Sequence, residues 1–202
     1  MKPLYATILI LLVSLAARSQ KVDDCYINSK TGDTVYTTYW ETLVQTETCL
    51  LNFRLVRINR TFSMELKFNF GDSPDFSIAK GDSVWIKFTD GMNLPFYSVD
   101  QVESQRGLSA FEGSFKGLTT QGIYARYPLT YFQIVIFQSQ LVDKIRIYSS
   151  RGFDNVILPK SKRDVISDCA TLISRRVEQY QIRSGSTPEQ NKAIEEQKKP
   201  DW

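Results

Sequence analysis

The sequence predicts an α+β domain: a largely antiparallel, curled β-sheet or sandwich with a C-terminal amphipathic helix packed on it. Three observations carry that reading. Between Asp33 and Arg126 the chain runs as short apolar–polar alternations divided by turn signals such as Asn59-Arg60, Lys80-Gly81-Asp82 and Asp90-Gly91, the pattern of strands joined by tight connections. Connections this short favour antiparallel pairing. From Lys162 to Ile182 the period changes, and Ile166, Cys169, Ile173, Val177 and Tyr180 recur at three- and four-residue steps, which puts them on one helical face that needs an apolar partner.

The N-terminus is expected to lie outside this domain. Lys2 precedes an apolar run from Leu4 to Ala17, closed by Arg18, Ser19, Gln20 and Lys21, the basic start and apolar centre of a secretory signal peptide. The run falls short of the roughly 20 apolar residues a membrane helix needs, so no membrane span is expected after cleavage. Ala17 and Ser19 are the small residues a signal peptidase accepts, which places the cut after Ser19 and makes 1–19 a leader. Cys25 follows Val22-Asp23-Asp24 and not a small-residue lipobox. The expected compartment is therefore periplasmic or extracellular, with the domain over 20–183 and a polar, disordered tail over 184–202.

Within the domain, Val35 to Leu43 reads as the first strand. Leu51 to Ile58 and Phe62 to Phe70 form the next hairpin across Asn59-Arg60. Phe62, Met64, Leu66, Phe68 and Phe70 alternate with Ser63, Glu65, Lys67 and Asn69, which predicts one buried and one wet face. Asn59-Arg60-Thr61 also spells a glycosylation triplet, relevant in a eukaryotic secretory pathway. Phe76 to Ala79 is expected to turn at Lys80-Gly81-Asp82 and pair with Val84 to Phe88, in which Trp85 and Lys87 face away from Val84 and Ile86. Asp90-Gly91 turns the chain again, since both residues tolerate positive φ. Asn93 to Val99, Leu108 to Phe115 and Ile123 to Tyr127 continue the sheet.

After Pro128 the pattern becomes mixed. Thr130 suits the cap of a helix over Tyr131 to Gln140, although the β-branched Ile134, Val135 and Ile136 also suit a strand. Lys144 to Tyr148 reads as a strand with Ile145 and Ile147 on one face and Lys144, Arg146 and Tyr148 on the other. Ser149 to Gly152 turns it toward Val156 to Leu158, and Ser161 with Asp164 gives a capping-box variant for the long helix.

Composition excludes several chemistries. There is no histidine, which removes Ser-His-Asp and Cys-His nucleophilic catalysis and histidine-ligated metal sites. No metal site is expected, because Cys25, Cys49 and Cys169 do not cluster. In an oxidising compartment, three cysteines suggest one disulfide and one free thiol. Sequence does not choose the pair; Cys25 and Cys49 are favoured because adjacent strands would join them, whereas Cys169 sits on the apolar helix face. Ser77-Ile-Ala-Lys80 and Lys30-Thr31-Gly32 match motifs of penicillin-binding serine acyltransferases, but in the wrong order and with Ser77 on a strand. Phosphate-loop, dinucleotide, nucleophile-elbow and calcium-loop motifs are missing, so no cofactor is expected. Losing Lys2 and Arg18 with the leader lowers the formal charge from +3 to +1. The basic stretch Lys160 to Arg163 with Arg175 and Arg176 falls on one solvated helix, so neither nucleic acid nor another polyanion is an expected partner.

Two kinds of function remain. Glu41, Glu65, Glu103 and Glu112 all fall in sheet regions, and two converging acids would support a carboxylate-based glycan hydrolase. Tyr36, Tyr39, Trp40, Trp85, Phe96 and Tyr97 concentrate aromatics on the first half of the sheet. Of these, Trp85, Trp40 and Tyr36 are the candidate binding residues, because an exposed aromatic offers an apolar face to a sugar ring or peptide. Trp85 leads, since alternation turns it away from Val84 and Ile86.

The segments Thr31-Gly32 to Trp40-Glu-Thr-Leu43, Phe53 to Phe70, Phe76-Ser-Ile-Ala-Lys-Gly81, Trp85-Ile-Lys-Phe-Thr-Asp-Gly91 and Lys144-Ile-Arg-Ile-Tyr148 resemble a group of uncharacterised exported bacterial proteins. The shared features are turns and strand patterns, so the resemblance implies an envelope location and transfers no functional residue. The expected function is that of an exported, non-catalytic protein that binds an envelope protein or a glycan through its sheet. The alternative is the glycan hydrolase.

Overall fold

The computed structural model describes residues 22–71, 73–106 and 120–184, with side chains over 25–71, 73–106 and 121–175. The leader expected over 1–19, the strand expected at Leu108 to Phe115 and the tail expected beyond Ser184 lie outside the described residues. The chain runs through β1 (Val22–Ile27), β2 (Thr34–Thr38), β3 (Glu41–Gln45), β4 (Cys49–Ile58), β5 (Thr61–Gly71), β6 (Ser77–Ile78), β7 (Ser83–Phe88), β8 (Asn93–Tyr97), β9 (Val102–Glu103), β10 (Gln105–Arg106) and β11 (Thr120–Leu129). Helix α1 (Tyr131–Ser139), β12 (Val142–Ser149), β13 (Gly152–Ile157), a 3₁₀ turn at Lys160–Lys162 and helix α2 (Val165–Ser184) complete it. A curled antiparallel sheet of seven strands has the order β1-β2-β4-β5-β11-β10, with β3 also on β4. A second sheet has the order β13-β12-β7-β8, and β6 pairs with β9 in a short ribbon.

Alternation along β5 builds the core. Phe62, Met64, Leu66, Phe68 and Phe70 stand beside Leu55, Phe53 and Leu51 of β4 and Tyr127, Ala125 and Ile123 of β11. Facing them, Val84, Ile86 and Phe88 of β7 and Ile145 and Ile147 of β12 belong to the same buried cluster. Each such side chain contributes about 1.5–3 kcal/mol through burial. Helix α1 is helical despite its β-branched residues because a complete capping box opens it: Gln133 N donates to Thr130 Oγ1 at 3.2 Å, and Thr130 N donates to Gln133 Oε1 at 2.8 Å. It sets Phe137 against Phe88 and Phe96, ring centroids 6.1 and 5.5 Å away. Helix α2 buries Val165, Ile166, Cys169, Ala170 and Ile173.

Two turns behave as their residues dictate. Asn59 takes φ +52° and is clamped on all sides: its Oδ1 accepts from Thr34 N (2.9 Å), its Nδ2 donates to Asp33 Oδ1 (2.5 Å) and its carbonyl accepts from Arg57 Nε (2.6 Å). Donors from Thr31 and Asn59 hold the Asp33 carboxyl below its usual range. Gly91, at φ +96°, closes the β7–β8 hairpin, where Phe88 N donates to Met92 O at 2.9 Å; only glycine enters that region without strain.

Four expectations need correction. The strand expected from Val35 to Leu43 breaks at Tyr39-Trp40, and both halves pair with β4, β2 along Val56 to Ile58 and β3 along Leu50 to Phe53. At the break, Thr38 Oγ1 accepts the Leu55 amide at 2.9 Å in place of a ladder bond. Phe76 to Ala79 does not pair with β7. Asp82 closes the intervening turn on Ala79, but β6 leaves for Val102 and Glu103 of β9. The long helix begins at Val165, so Ser161 lies in the preceding 3₁₀ turn and does not cap it. All three cysteines are free. Cys25 registers with Tyr36, and Tyr36 with Arg57 at the far end of β4 from Cys49. Eight residues at about 3.3 Å each separate Arg57 from Cys49, far beyond the about 7 Å Cα limit of a disulfide.

Candidate binding surface

The outer face of the four-stranded sheet is assembled by alternation. Val84, Ile86 and Phe88 point into the core, so Ser83, Trp85 and Lys87 point out. Register with β8 and β12 sets Trp85 between Pro95 and Arg146, and Lys87 between Asn93 and Lys144. Beyond β12, Phe153 lies opposite Tyr148, Asn155 opposite Arg146 and Ile157 opposite Lys144. Trp85 is 39% exposed, Tyr97 56% and Phe153 55%. Two of these rings are held: Trp85 Nε1 donates to Ser83 Oγ at 3.1 Å, Tyr148 lies 5.9 Å from Phe153 by ring centroids, and the Arg146 guanidinium sits 4.7 Å over the Phe153 ring. Arg146 Nε is fixed by Asn155 Oδ1 at 2.9 Å.

The same face carries Lys87, Lys144 and Arg146, and its acid, Asp143 at the β12 bulge between Val142 and Lys144, is paired with Arg163 at 2.5 Å. Among the described residues, none of these three cations is in an ion pair. The acid of β13, Asp154, alternates to the other side, where it pairs with Arg151 at 3.0 Å. Sequence reasoning found Trp85 and the outward set Lys144, Arg146 and Tyr148. It passed over Phe153, whose alternation with Asp154 and Asn155 carries little hydrophobic contrast.

Trp40 and Tyr36 lie elsewhere, on the seven-stranded sheet. Trp40 covers the Arg54 guanidinium at 4.5 Å and meets the Tyr124 ring edge-on at 5.9 Å. Beneath them Glu65 stands between Arg54 of β4 and Arg126 of β11 in register. Arg54 Nε reaches Glu65 Oε2 at 2.6 Å, and Arg126 reaches Oε1 at 3.1 Å. The polar face expected on β5 is thus partly dry: Glu65 is 1% exposed, covered by residues from neighbouring strands. Burial opposes the charge on Arg54, but Glu65 and Tyr124 together outweigh it and raise the guanidinium above its usual range. Burial and the adjacent Glu65 also push the Tyr124 hydroxyl up. Tyr36 is 5% exposed and stacks with Arg57 at 5.6 Å, so it presents no face to a ligand.

The expected acids do not converge among the described residues. Glu65 is committed to two arginines, and Glu41 registers with Phe53 on the opposite face. Glu103 lies on the ribbon, accepting from Gln101 at 3.1 Å, and Glu112 lies outside the described residues. No group of three or more Cys, Asp or Glu is placed to hold a metal among the described residues. Burial pushes the Cys49 thiol up to about 11 and the Cys169 thiol up to about 12, which makes both poor nucleophiles.

Fold and surface together define a mostly β protein of the α+β class, a curled antiparallel half-barrel with one C-terminal helix. Comparison with protein-family models, curated proteins and solved structures gave no match. No helix among the described residues is long and apolar enough to cross a membrane.

Proposed function

We propose that this is an exported, non-catalytic binding protein that engages a glycan or another envelope protein through the outer face of the β13-β12-β7-β8 sheet. The observation that carries the reading is the exposure of Tyr97, Trp85 and Phe153 on one sheet face, with the Trp85 and Phe153 rings held in place by neighbours. Large aromatics exposed together are costly to keep in water and mark interaction surfaces. Rigid, amphipathic rings also lose little entropy on binding. Export rests on the leader pattern at residues 1–19.

The test is retention on purified cell envelope. Replacing Trp85 and Phe153 together by Ala is expected to weaken retention at least about tenfold, since a central aromatic anchor contributes about 2 kcal/mol or more. Trp40→Ala, beneath which the Arg54 network is internal, is expected to leave retention unchanged. Circular dichroism and melting curves confirm folding of each variant. Equal retention of wild type and the double variant would defeat the proposal.

A further inference from the structure

We infer that the ligand of this face is an acidic polysaccharide, a chain of pyranose rings bearing carboxylates. This rests on the sheet-face reading above and adds the ligand class. Register arranges the face in three rows across the strands. Extending the β7–β12 pairing by one residue sets Ser83 beside Tyr148, giving an aromatic row of Tyr97, Ser83, Tyr148 and Phe153. The middle row is Pro95, Trp85, Arg146 and Asn155, and the third is Asn93, Lys87, Lys144 and Ile157. Rows lie about 6.6 Å apart, two residues along a strand, and four strands span about 14 Å.

Each part of this lattice matches one part of such a ligand. The apolar faces of pyranose rings stack on exposed rings, as Trp85, Tyr97 and Phe153 allow. Carboxylates one row away meet Lys87 and Lys144. Arg146 spends its Nε on Asn155, which leaves its terminal nitrogens for a planar, charge-assisted contact with a carboxylate. Asp143, at the β12 bulge, is paired with Arg163, so the charges of the three rows, Lys87, Lys144 and Arg146, are all positive. The near-balanced charge of the whole chain conceals this, and the expectation that no polyanion is a partner is revised for this surface.

An acidic peptide fits less well. An extended peptide gains affinity from main-chain hydrogen bonds along a sheet edge, whereas the backbone beneath Trp85 and Arg146 is already paired on both sides. Nucleic acid needs more cations than three, because its affinity grows with each phosphate neutralised.

The experiment measures binding of the full mature chain to polygalacturonate and alginate, to their carboxyl-reduced counterparts, and to poly-L-glutamate at low and high salt. Wild type is expected to bind the polyuronates at least tenfold more tightly than the reduced polymers or poly-L-glutamate, and to lose most of that preference at high salt. Lys87→Ser with Lys144→Ser, both outward-facing, is expected to abolish the preference and leave the weak binding to reduced polymer unchanged. Trp85→Ala is expected to weaken both. Equal binding to acidic and reduced polymers would overturn the ligand class and leave the sheet-face reading standing. Equal or tighter binding to poly-L-glutamate, or no polyuronate binding at all, would overturn the glycan. Polyuronate binding that ignores all three substitutions would overturn the surface itself.

Discussion

Replacing Glu65 by Gln is the most informative single change to the fold. The carboxylate joins three adjacent strands, accepting from Arg54 at 2.6 Å and Arg126 at 3.1 Å while 1% exposed. The intact network is close to neutral in net stability, because desolvating a carboxylate costs several kcal/mol and offsets most of the attraction. Removing the anion is different, since it leaves two guanidinium groups facing one another across β5. Breaking a buried pair this way costs about 3–5 kcal/mol. Here the Arg54 and Arg126 side chains are 23% and 44% exposed, so water recovers part of that and about 2–3 kcal/mol is expected. With a urea dependence of about 2 kcal/mol/M, the unfolding midpoint falls by about 1–1.5 M. Arg126→Ala, at the exposed end, is expected to cost less than about 1 kcal/mol. Arg54→Ala falls between and alters Trp40 fluorescence by removing the cation over its ring. A Glu65→Gln midpoint within about 0.2 M of wild type, or an Arg126→Ala loss larger than that of Glu65→Gln, would refute the reasoning.

Two further outcomes follow from burial. Phe137 is fully buried between Phe88 and Phe96, so Phe137→Ala is expected to cost about 3–5 kcal/mol, seen in calorimetry as a Tm lower by about 10 °C; a shift under about 3 °C would mean that α1 does not close the core. In alkylation at pH 8 followed by intact mass, the exposed Cys25 is expected to react in the folded protein. Cys49 and Cys169 should react only after unfolding, because their raised pKa values of about 11 and 12 keep the thiols protonated until strongly alkaline pH. Fast native labelling of Cys49, or a pair of thiols that labels only after reduction, would contradict the free-thiol assignment.

What could be read from sequence was local. The alternation of β5, the Asp90-Gly91 hairpin and the Thr130 cap each depend on residues a few positions apart, and each appears in the structure. What could not be read depends on distant partners. Ser77 and Ile78 look like one arm of a hairpin until β9 supplies a better partner. Glu65 looks solvated until Arg126, 61 residues later, pairs with it. Trp40 and Trp85 look equivalent as strand aromatics; one is half-buried over an arginine, and the other stands open beside Arg146. Overall charge sums over every surface, so it cannot reveal that three cations share one face while the nearby acids Asp143 and Asp154 are paired with other arginines.

The clamp around Asn59 bears on how the protein can be made. Asn59-Arg60-Thr61 is an acceptor for oligosaccharide transfer, yet the nitrogen that would carry the sugar donates to Asp33, and the Thr61 hydroxyl the transferase must read donates to Ile58 O at 2.8 Å. Folding therefore hides the acceptor by occupying its hydrogen bonds, although Asn59 lies on the surface. In a eukaryotic secretory host the transferase and the β4–β5 turn compete for one amide group. A chain modified before that turn closes would lose the contact that ties β2 to β4, so yield in such a host would be governed by which event comes first.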